Sequence, residues 1–170
     1  MRDPIETWTA ADGTTVAIRP IAVDDFELEL AFTQGLSRVS GYRRLLSSRR
    51  LSRAEIERLV RVDGDCEVAL IATTRHSGRE RQVGVARFVR EGCGETAEIA
   101  LVVADAWQGR GLGRRLLRGL IASARRRGVR RLVGTTLSDN AAMLALARAL
   151  GFETAMERGL AMLTNVSMRL

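Results

Sequence analysis

Apolar residues recur along this chain with two periods, and the switches between them mark out its elements. Residues 15–21 alternate Val16, Ile18 and Pro20 with polar neighbours, which predicts a first strand. Residues 23–35 predict a helix opened by Asp24 or Asp25 and stopped by Gly35, and residues 40–47 a short second helix. Ser52, Arg53, Ala54 and Glu55 form a capping box, and Ile56, Leu59 and Val60 follow on one face of a third helix that ends before Gly64. Residues 67–74 and 82–90 predict two strands joined at Ser77 and Gly78. Residues 96–103 predict another strand, with a continuous apolar run over 99–103. The longest helical pattern covers 112–127, where Leu112, Leu116, Leu117, Leu120, Ile121 and Ala124 fall at three- and four-residue spacing. A strand over 131–136, a turn at Ser138, Asp139 and Asn140, and a helix over 141–150 ending at Gly151 and Phe152 come next. Residues 153–158 and 162–170 predict a closing hairpin around Gly159. Periodicity alone supports an α/β or α+β domain.

The junction between the apolar strand and the long helix carries the strongest chemical signal. Its residues are Val102, Val103, Ala104, Asp105, Ala106, Trp107, Gln108, Gly109, Arg110, Gly111, Leu112 and Gly113. Glycines at 109, 111 and 113 remove the Cβ atoms that would block a ligand and leave free amides at a helix N-terminus, a ready anion site. A Walker A loop needs Lys and then Ser or Thr after its last glycine, but Arg114 and Arg115 follow Gly113. A dinucleotide fingerprint needs a third glycine where Arg114 or Leu116 stands. Two readings remain: a Gln-x-x-Gly-x-Gly phosphate loop, or a plain strand–turn–helix junction.

The Gln-x-x-Gly-x-Gly loop resembles the coenzyme A pyrophosphate loop of the GNAT N-acetyltransferases. The strand over 131–136, Asn140 at a helix start and the terminal Gly151-Phe152 resemble the second half of the same core. Upstream, the run LSRVSGYRRLL at 36–46 is similar to the LSxxSxYxRFF segment of the bacterial protein lysine acetyltransferases of the Pat type. Leu45 and Leu46 stand where that branch has aromatics, and the acyl-CoA synthetase-like or cyclic-nucleotide-binding module often fused to it is missing from this sequence. The likeness covers about 14–153. It implies one GNAT domain over 1–170, with a C-terminal hairpin at about 153–170. It also implies a mixed, mostly antiparallel sheet of about six to seven strands with helices on both faces.

Composition narrows the alternatives. The 170 residues suit one domain with room for a core, and no apolar run approaches the ~20 residues of a membrane span. Residues 1–6 are charged and lack an apolar signal core, so the expected location is cytoplasmic. Cys66 and Cys93 form no metal or redox spacing and are expected as small apolar residues in or beside strands. His76 is the sole histidine and sits in a turn-like stretch, which argues against a Ser-His-Asp hydrolase and a histidine zinc site; no metal is expected. All 27 basic residues are arginine, so the net charge of +7 is permanent. Few aromatics, no binding motif and no basic tail argue against nucleic acid as the partner, and Arg125, Arg126 and Arg127 close a helix where cations suit the dipole.

Acetyl transfer from a thioester needs a neutral amine, a donor for the developing oxyanion and an outlet for the thiolate. Glu98 is the candidate base: it lies in an otherwise apolar strand, ten residues before Gln108, where the Pat-like enzymes hold theirs. An isolated carboxylate there is expected to be buried, and the cost of burial would tune it; the alternative is an outward Glu paired with a surface Arg. The resemblance assigns acetyl-CoA as cosubstrate, its pyrophosphate on Gln108, Gly109, Arg110, Gly111, Leu112 and Gly113. It assigns the pantetheine arm to the backbone of Val102 and Val103, one of whose amides would meet the thioester oxygen. Arg114 and Arg115 either meet coenzyme phosphates or are solvated, and Asn140 serves as coenzyme contact, helix cap or both. Ser40 and Tyr42 either border the acceptor or pack the helix. Many GNAT enzymes place a Tyr acid four residues before Gly-Phe; here that position is Ala147, which leaves water or Tyr42.

The leading reading is an acetyltransferase acting on protein lysines, as a monomer or dimer, with no membrane partner. The alternatives are the same chemistry on a small amine, and a non-catalytic acyl-CoA-binding domain.

Overall fold

The computed structural model describes residues 4–157 and 159–170. Met1, Arg2 and Asp3, part of the charged N-terminal stretch, and Arg158, expected at a strand end, lie outside the described residues. Eight strands form one sheet: β1 (Glu6–Thr9), β2 (Thr15–Pro20), β3 (Glu67–His76), β4 (Arg79–Arg90), β5 (Thr96–Val103), β6 (Arg131–Leu137), β7 (Glu153–Glu157) and β8 (Leu160–Arg169). Their order is β1-β2-β3-β4-β5-β6-β8-β7. Every pairing is antiparallel except β5 with β6. Among the described residues, five α-helices accompany it: α1 (Phe26–Gly35), α2 (Arg38–Leu45), α3 (Arg53–Val60), α4 (Leu112–Arg126) and α5 (Ala141–Ala149).

Sheet and helices meet in two apolar layers. On one face, Leu112, Leu116, Leu117 and Leu120 of α4, all fully buried, pack with Leu144 and Ala147 of α5 against Val16, Leu70, Phe88 and Leu132. The four leucines line one stripe of the helix, as their spacing requires. A Cβ on Gly84 would stand 2.9 Å from Leu116 Cδ1, so the glycine lets α4 lie against β4. On the other face, Phe32 of α1 and Val60 of α3 pack against Ile71, Val85 and Val102. That layer also holds charge. Glu29 is 0% exposed, and its carboxylate accepts from Arg44 Nη2 of α2 at 2.8 Å and from the Gln82 side-chain amide of β4.

Local signals are borne out where the chemistry is local. Ser52 accepts from the Glu55 amide at 3.3 Å, and the Glu55 carboxylate accepts from the Ser52 amide at 2.8 Å. That bond, with help from Arg49, holds Glu55 at about 2. Ser77 and Gly78 take positive φ of 50° and 77°, the mirror-image turn that matches strand twist.

Two expectations need correction. The sheet has an eighth strand, β1, where six to seven were expected. Its four residues, of which Trp8 is the one large apolar side chain, edge the sheet against β2. Cys66 and Cys93 are not unpaired apolar residues: a disulfide joins them, with Cα atoms 5.1 Å apart. The β3–β4 pairing sets Glu67 opposite Val89, and this brings a residue just before β3 next to the turn just after β4. Among the described residues, no helix is long and apolar enough to cross a membrane.

Candidate active site

The site begins where two neighbouring strands separate. β5 and β6 pair over only three positions, ending at Glu98 with Val133. Beyond that point β5 continues for five residues and β6 for four without pairing, so a wedge opens through the sheet. Gly134 lies just past the last pair. A Cβ there would sit 3.2 Å from the Ile99 carbonyl oxygen and 3.1 Å from its side chain, so glycine allows the close approach at the apex.

Alternation decides what β5 presents to the wedge. The Ala104 amide donates to the Val83 carbonyl at 2.9 Å, so Ala104 turns towards β4 and Val102, two residues earlier, turns with it. Leu101 and Val103 turn their backbone groups the other way, into the gap. Of the two amides expected to face the thioester, only that of Val103 is free to do so. The Val102 side chain instead joins the apolar layer under α1 and α3.

A short 3-10 turn at Asp105–Trp107 leads from β5 into the glycine loop. Gly109 and Gly111 take φ of 72° and 86°, which carry almost no cost for glycine, and Gly111 caps α4. No protein atom lies within 4 Å of where their Cβ atoms would stand, so the space beside both residues is open. The amides at the start of α4 border it.

A cleft of about 520 Å³ runs from this loop to Glu98. It is lined by Gln108, Gly109, Gly111, Gly113 and Arg114 of the loop and α4, by Val103 and Glu98 of β5, by Asn140, Met143 and Leu146 at α5, and by Ser40, Arg43 and Arg44 of α2. Asn140 caps α5, accepting from the Met143 amide at 3.4 Å while its Nδ2 donates to Thr136 Oγ1 at 3.1 Å. Glu98 is exposed to this space, not buried as expected. It also lines a second groove over the outer face of β6, β8 and β7, bordered by Arg131, Thr135, Glu153, Asn165 and Ser167.

Other candidate residues differ in where their side chains lie, and the loop is expected to act through its backbone amides. The Arg110 side chain pairs with Asp12 at 2.7 Å and stacks over Trp107; Trp107 lines the cleft and Arg110 does not. Leu112 is buried in the core, so only its backbone belongs to the loop. Arg115 stacks over Trp8 and pairs with Glu6, outside the cleft, while Arg114 lines it. Tyr42 is 39% exposed and does not line the cleft. Ser40 does line it, but its buried hydroxyl is already engaged: it donates to Asp105 Oδ1 at 2.8 Å and accepts from Gln108 Nε2 at 3.1 Å. Ser37 also donates to Asp105, from its hydroxyl at 2.7 Å and its amide at 3.1 Å. Burial pushes the Asp105 carboxyl upward, but the bonds from Ser37 and Ser40 outweigh it and hold Asp105 below its ordinary value. Together these residues tie the start of α2 to the glycine loop.

Sequence reasoning missed Gly134 and the apolar wall of Met143 and Leu146. The wall was findable, since both residues follow Asn140 on one side of a helix whose start was recognised.

Comparison with known proteins gives this parted strand pair beside a glycine-capped helix its class. Residues 41–152 match the Acetyltransferase (GNAT) family, so this chain belongs to that family. It is 36% identical over 144 residues to an acetyltransferase of Pseudomonas aeruginosa, covering 83% of this chain and 76% of the relative. It is 37% identical over 149 residues to the acetyltransferase Pat of Mycolicibacterium smegmatis, covering 87% of this chain but only 43% of that protein. Among solved structures, the GNAT domain of S. lividans PAT superposes with a TM-score of 0.85 at 29% identity, over 99% of this chain and all of that one. The yncA protein of Salmonella typhimurium, solved with acetyl-CoA, superposes with a TM-score of 0.71 at 25% identity, over 91% of this chain and 94% of that one.

Proposed function

We propose that this protein transfers an acetyl group from acetyl-CoA directly to a lysine amine on a protein, with Glu98 as general base. The observation that carries the reading is the wedge between β5 and β6, with an anion-binding loop at one end and a lone carboxylate at the other. The cleft suits the cosubstrate part by part. Free amides and Arg114 at the start of α4 suit the pyrophosphate. The outward backbone groups of Leu101 suit an arm that pairs as an added strand, and the Val103 amide is left for the thioester oxygen. Met143 and Leu146 supply an apolar wall beside it.

In the proposed reaction Glu98 takes a proton from the incoming ammonium, directly or through one water, and so frees its lone pair. The amine attacks the thioester carbonyl, and the Val103 amide stabilises the oxyanion. The tetrahedral intermediate collapses with release of the thiolate. Ala147 offers no acid, so the proton that the attacking nitrogen loses as the amide forms reaches the thiolate through water. A lysine acceptor is supported by the resemblance of residues 36–46 and by the likeness to Pat.

The test is kcat/KM with labelled acetyl-CoA for a folded acyl-CoA synthetase against spermidine, free lysine and an aminoglycoside. A protein acceptor should lead. Higher specificity for any small amine would replace the lysine reading with a small-molecule one.

A further inference from the structure

Val103 sends two backbone groups into the wedge, its amide and its carbonyl, because within a strand both groups of one residue point the same way. The amide is the oxyanion donor of the proposed reaction, and the carbonyl oxygen stands beside it. Among the described residues no strand pairs with β5 there, since its pairing with β6 ends at Glu98. A bare carbonyl at this point would do two kinds of harm. Its negative end would repel the charge that develops on the thioester oxygen. It would also compete for the N–H groups of the coenzyme's arm, since an unpaired carbonyl seeks a donor.

The glycine loop supplies that carbonyl with a partner. Gln108 Nε2 donates to it at 3.0 Å. A carbonyl only accepts, so the Gln108 amide must turn its nitrogen, and not its oxygen, towards Val103. The second hydrogen of Nε2 goes to Ser40 Oγ at 3.1 Å. Ser40 has one proton to give, and it goes to Asp105 Oδ1 at 2.8 Å, on an ionised carboxylate that only accepts. Ser37 holds Asp105 in turn, through its hydroxyl at 2.7 Å and its amide at 3.1 Å. The chain therefore has one consistent direction of donation. Gln108 is exposed, and an exposed glutamine side chain is ordinarily free to turn. The buried Ser40 hydroxyl, with Asp105 behind it, holds it on Val103.

We infer that Asp105 is a positioning residue for acetyl transfer, acting through Ser40 and Gln108 to cover the Val103 carbonyl and leave the Val103 amide to meet the thioester oxygen. The inference rests on that amide being the oxyanion donor. Asp105 and Ser40 act on the reacting atoms only through Gln108 and Val103.

The test is the carbonyl stretch of acetyl-CoA labelled with carbon-13 at the thioester carbon. It is read by infrared difference spectroscopy on the full chain, saturated as judged by calorimetry. A hydrogen bond to the oxygen weakens the carbonyl bond, so the wild-type protein should move the band below that of free acetyl-CoA. Ser40→Ala, Asp105→Ala and Gln108→Met should each lose about half of that shift or more. Ser40→Thr keeps the hydroxyl and should keep the shift. Asp105→Asn keeps an oxygen for Ser40 and should recover most of what Asp105→Ala loses. Ser40→Ala combined with Asp105→Ala should lose no more than either alone, because both act in one chain. Ser37→Ala removes the cap of α2 and spares the Ser40 arm, so it should lower the midpoint in urea while the band stays near the wild-type position. A wild-type shift that the three disrupting variants all keep overturns the inference and leaves the donor reading standing. Additive losses in the double variant, or an equal loss in Ser37→Ala, also overturn it. Should Ser40→Ala fail to fold, Asp105→Ala and Gln108→Met, both at exposed positions, still decide. A wild-type band at the free position, or no binding of acetyl-CoA, removes the donor reading and the inference together.

Discussion

Gln108 Nε2 donates to the Val103 carbonyl at 3.0 Å, closing a loop residue onto the strand that precedes it. The same nitrogen donates to Ser40 Oγ, so one side chain joins the glycine loop, β5 and α2. The bond also decides which backbone groups β5 leaves free. With the Val103 carbonyl taken, the open groups along the wedge are the Val103 amide and both groups of Leu101.

Glu98→Gln keeps size and hydrogen-bonding capacity and removes basicity. Acetyl-CoA should bind as before by calorimetry, while turnover falls by about 10²–10⁴. Near-normal turnover at neutral pH would move the base elsewhere.

Gly111→Val places a β-branched side chain at φ 86°, beside the open space at the start of α4. The left-handed conformation should cost about 1–2 kcal/mol of stability. The new side chain should also obstruct the pyrophosphate. CoA affinity should fall sharply while the circular dichroism spectrum stays near normal. Unchanged affinity would remove the loop from the cosubstrate site.

Glu29→Leu removes the buried partner of Arg44 and leaves its guanidinium uncompensated. Breaking a buried pair from one side typically costs about 3–5 kcal/mol, readable as a lower midpoint in urea denaturation. A smaller loss than 1 kcal/mol would mean that water already reaches this cluster.

Asp105 has a folded-state pKa below its ordinary value, so its contribution to stability is fully present above that ordinary value, 3.8. The contribution is lost as pH falls through the lowered folded value. Asp12 and Asp63 are lowered in the same sense by backbone amide bonds, so acid unfolding below about pH 4 should be collective. Asp105→Asn should be less stable than wild type at neutral pH and lose less on acidification. Parallel acid curves for the two proteins would contradict the clamp on α2.

The Cys66–Cys93 bridge closes a loop across 27 residues. In the chain-entropy account, such a closure is worth about 3–4 kcal/mol. Dithiothreitol should lower the unfolding free energy of the oxidised protein by that amount and leave a Cys66→Ser, Cys93→Ser double variant unaffected. No effect of reductant on the wild type would show the cysteines unpaired in solution.

Much of the fold could be read from period alone, because α4 buries one stripe and β3 to β5 bury alternating or continuous apolar runs. What escaped was mostly non-local. β1 has too little apolar content to announce a strand, and it exists because β2 offers an edge. The cysteine pair depends on hairpin register. Glu29 escaped because pattern reading sends charged residues to solvent, while here Arg44 and Gln82 come from other elements to meet it. In the candidate site, the glycine loop, Asn140 and Glu98 were visible as types at a spacing. The direction of the Val102 amide was not, since one residue along a strand reverses it. Nor did the sequence show that Glu98 sits in open space, which depends on β6 leaving β5 one residue later.

That departure brings both faces of β5 onto one cleft. Ile99, Leu101 and Val103 belong to one side of the sheet, Glu98, Ala100 and Val102 to the other, and all six border the same cleft. In the proposed reaction, donor and acceptor would meet inside the sheet itself and not on one of its faces. Such a cleft suits the direct transfer proposed above, in a chain without lysine whose two cysteines are bonded to each other.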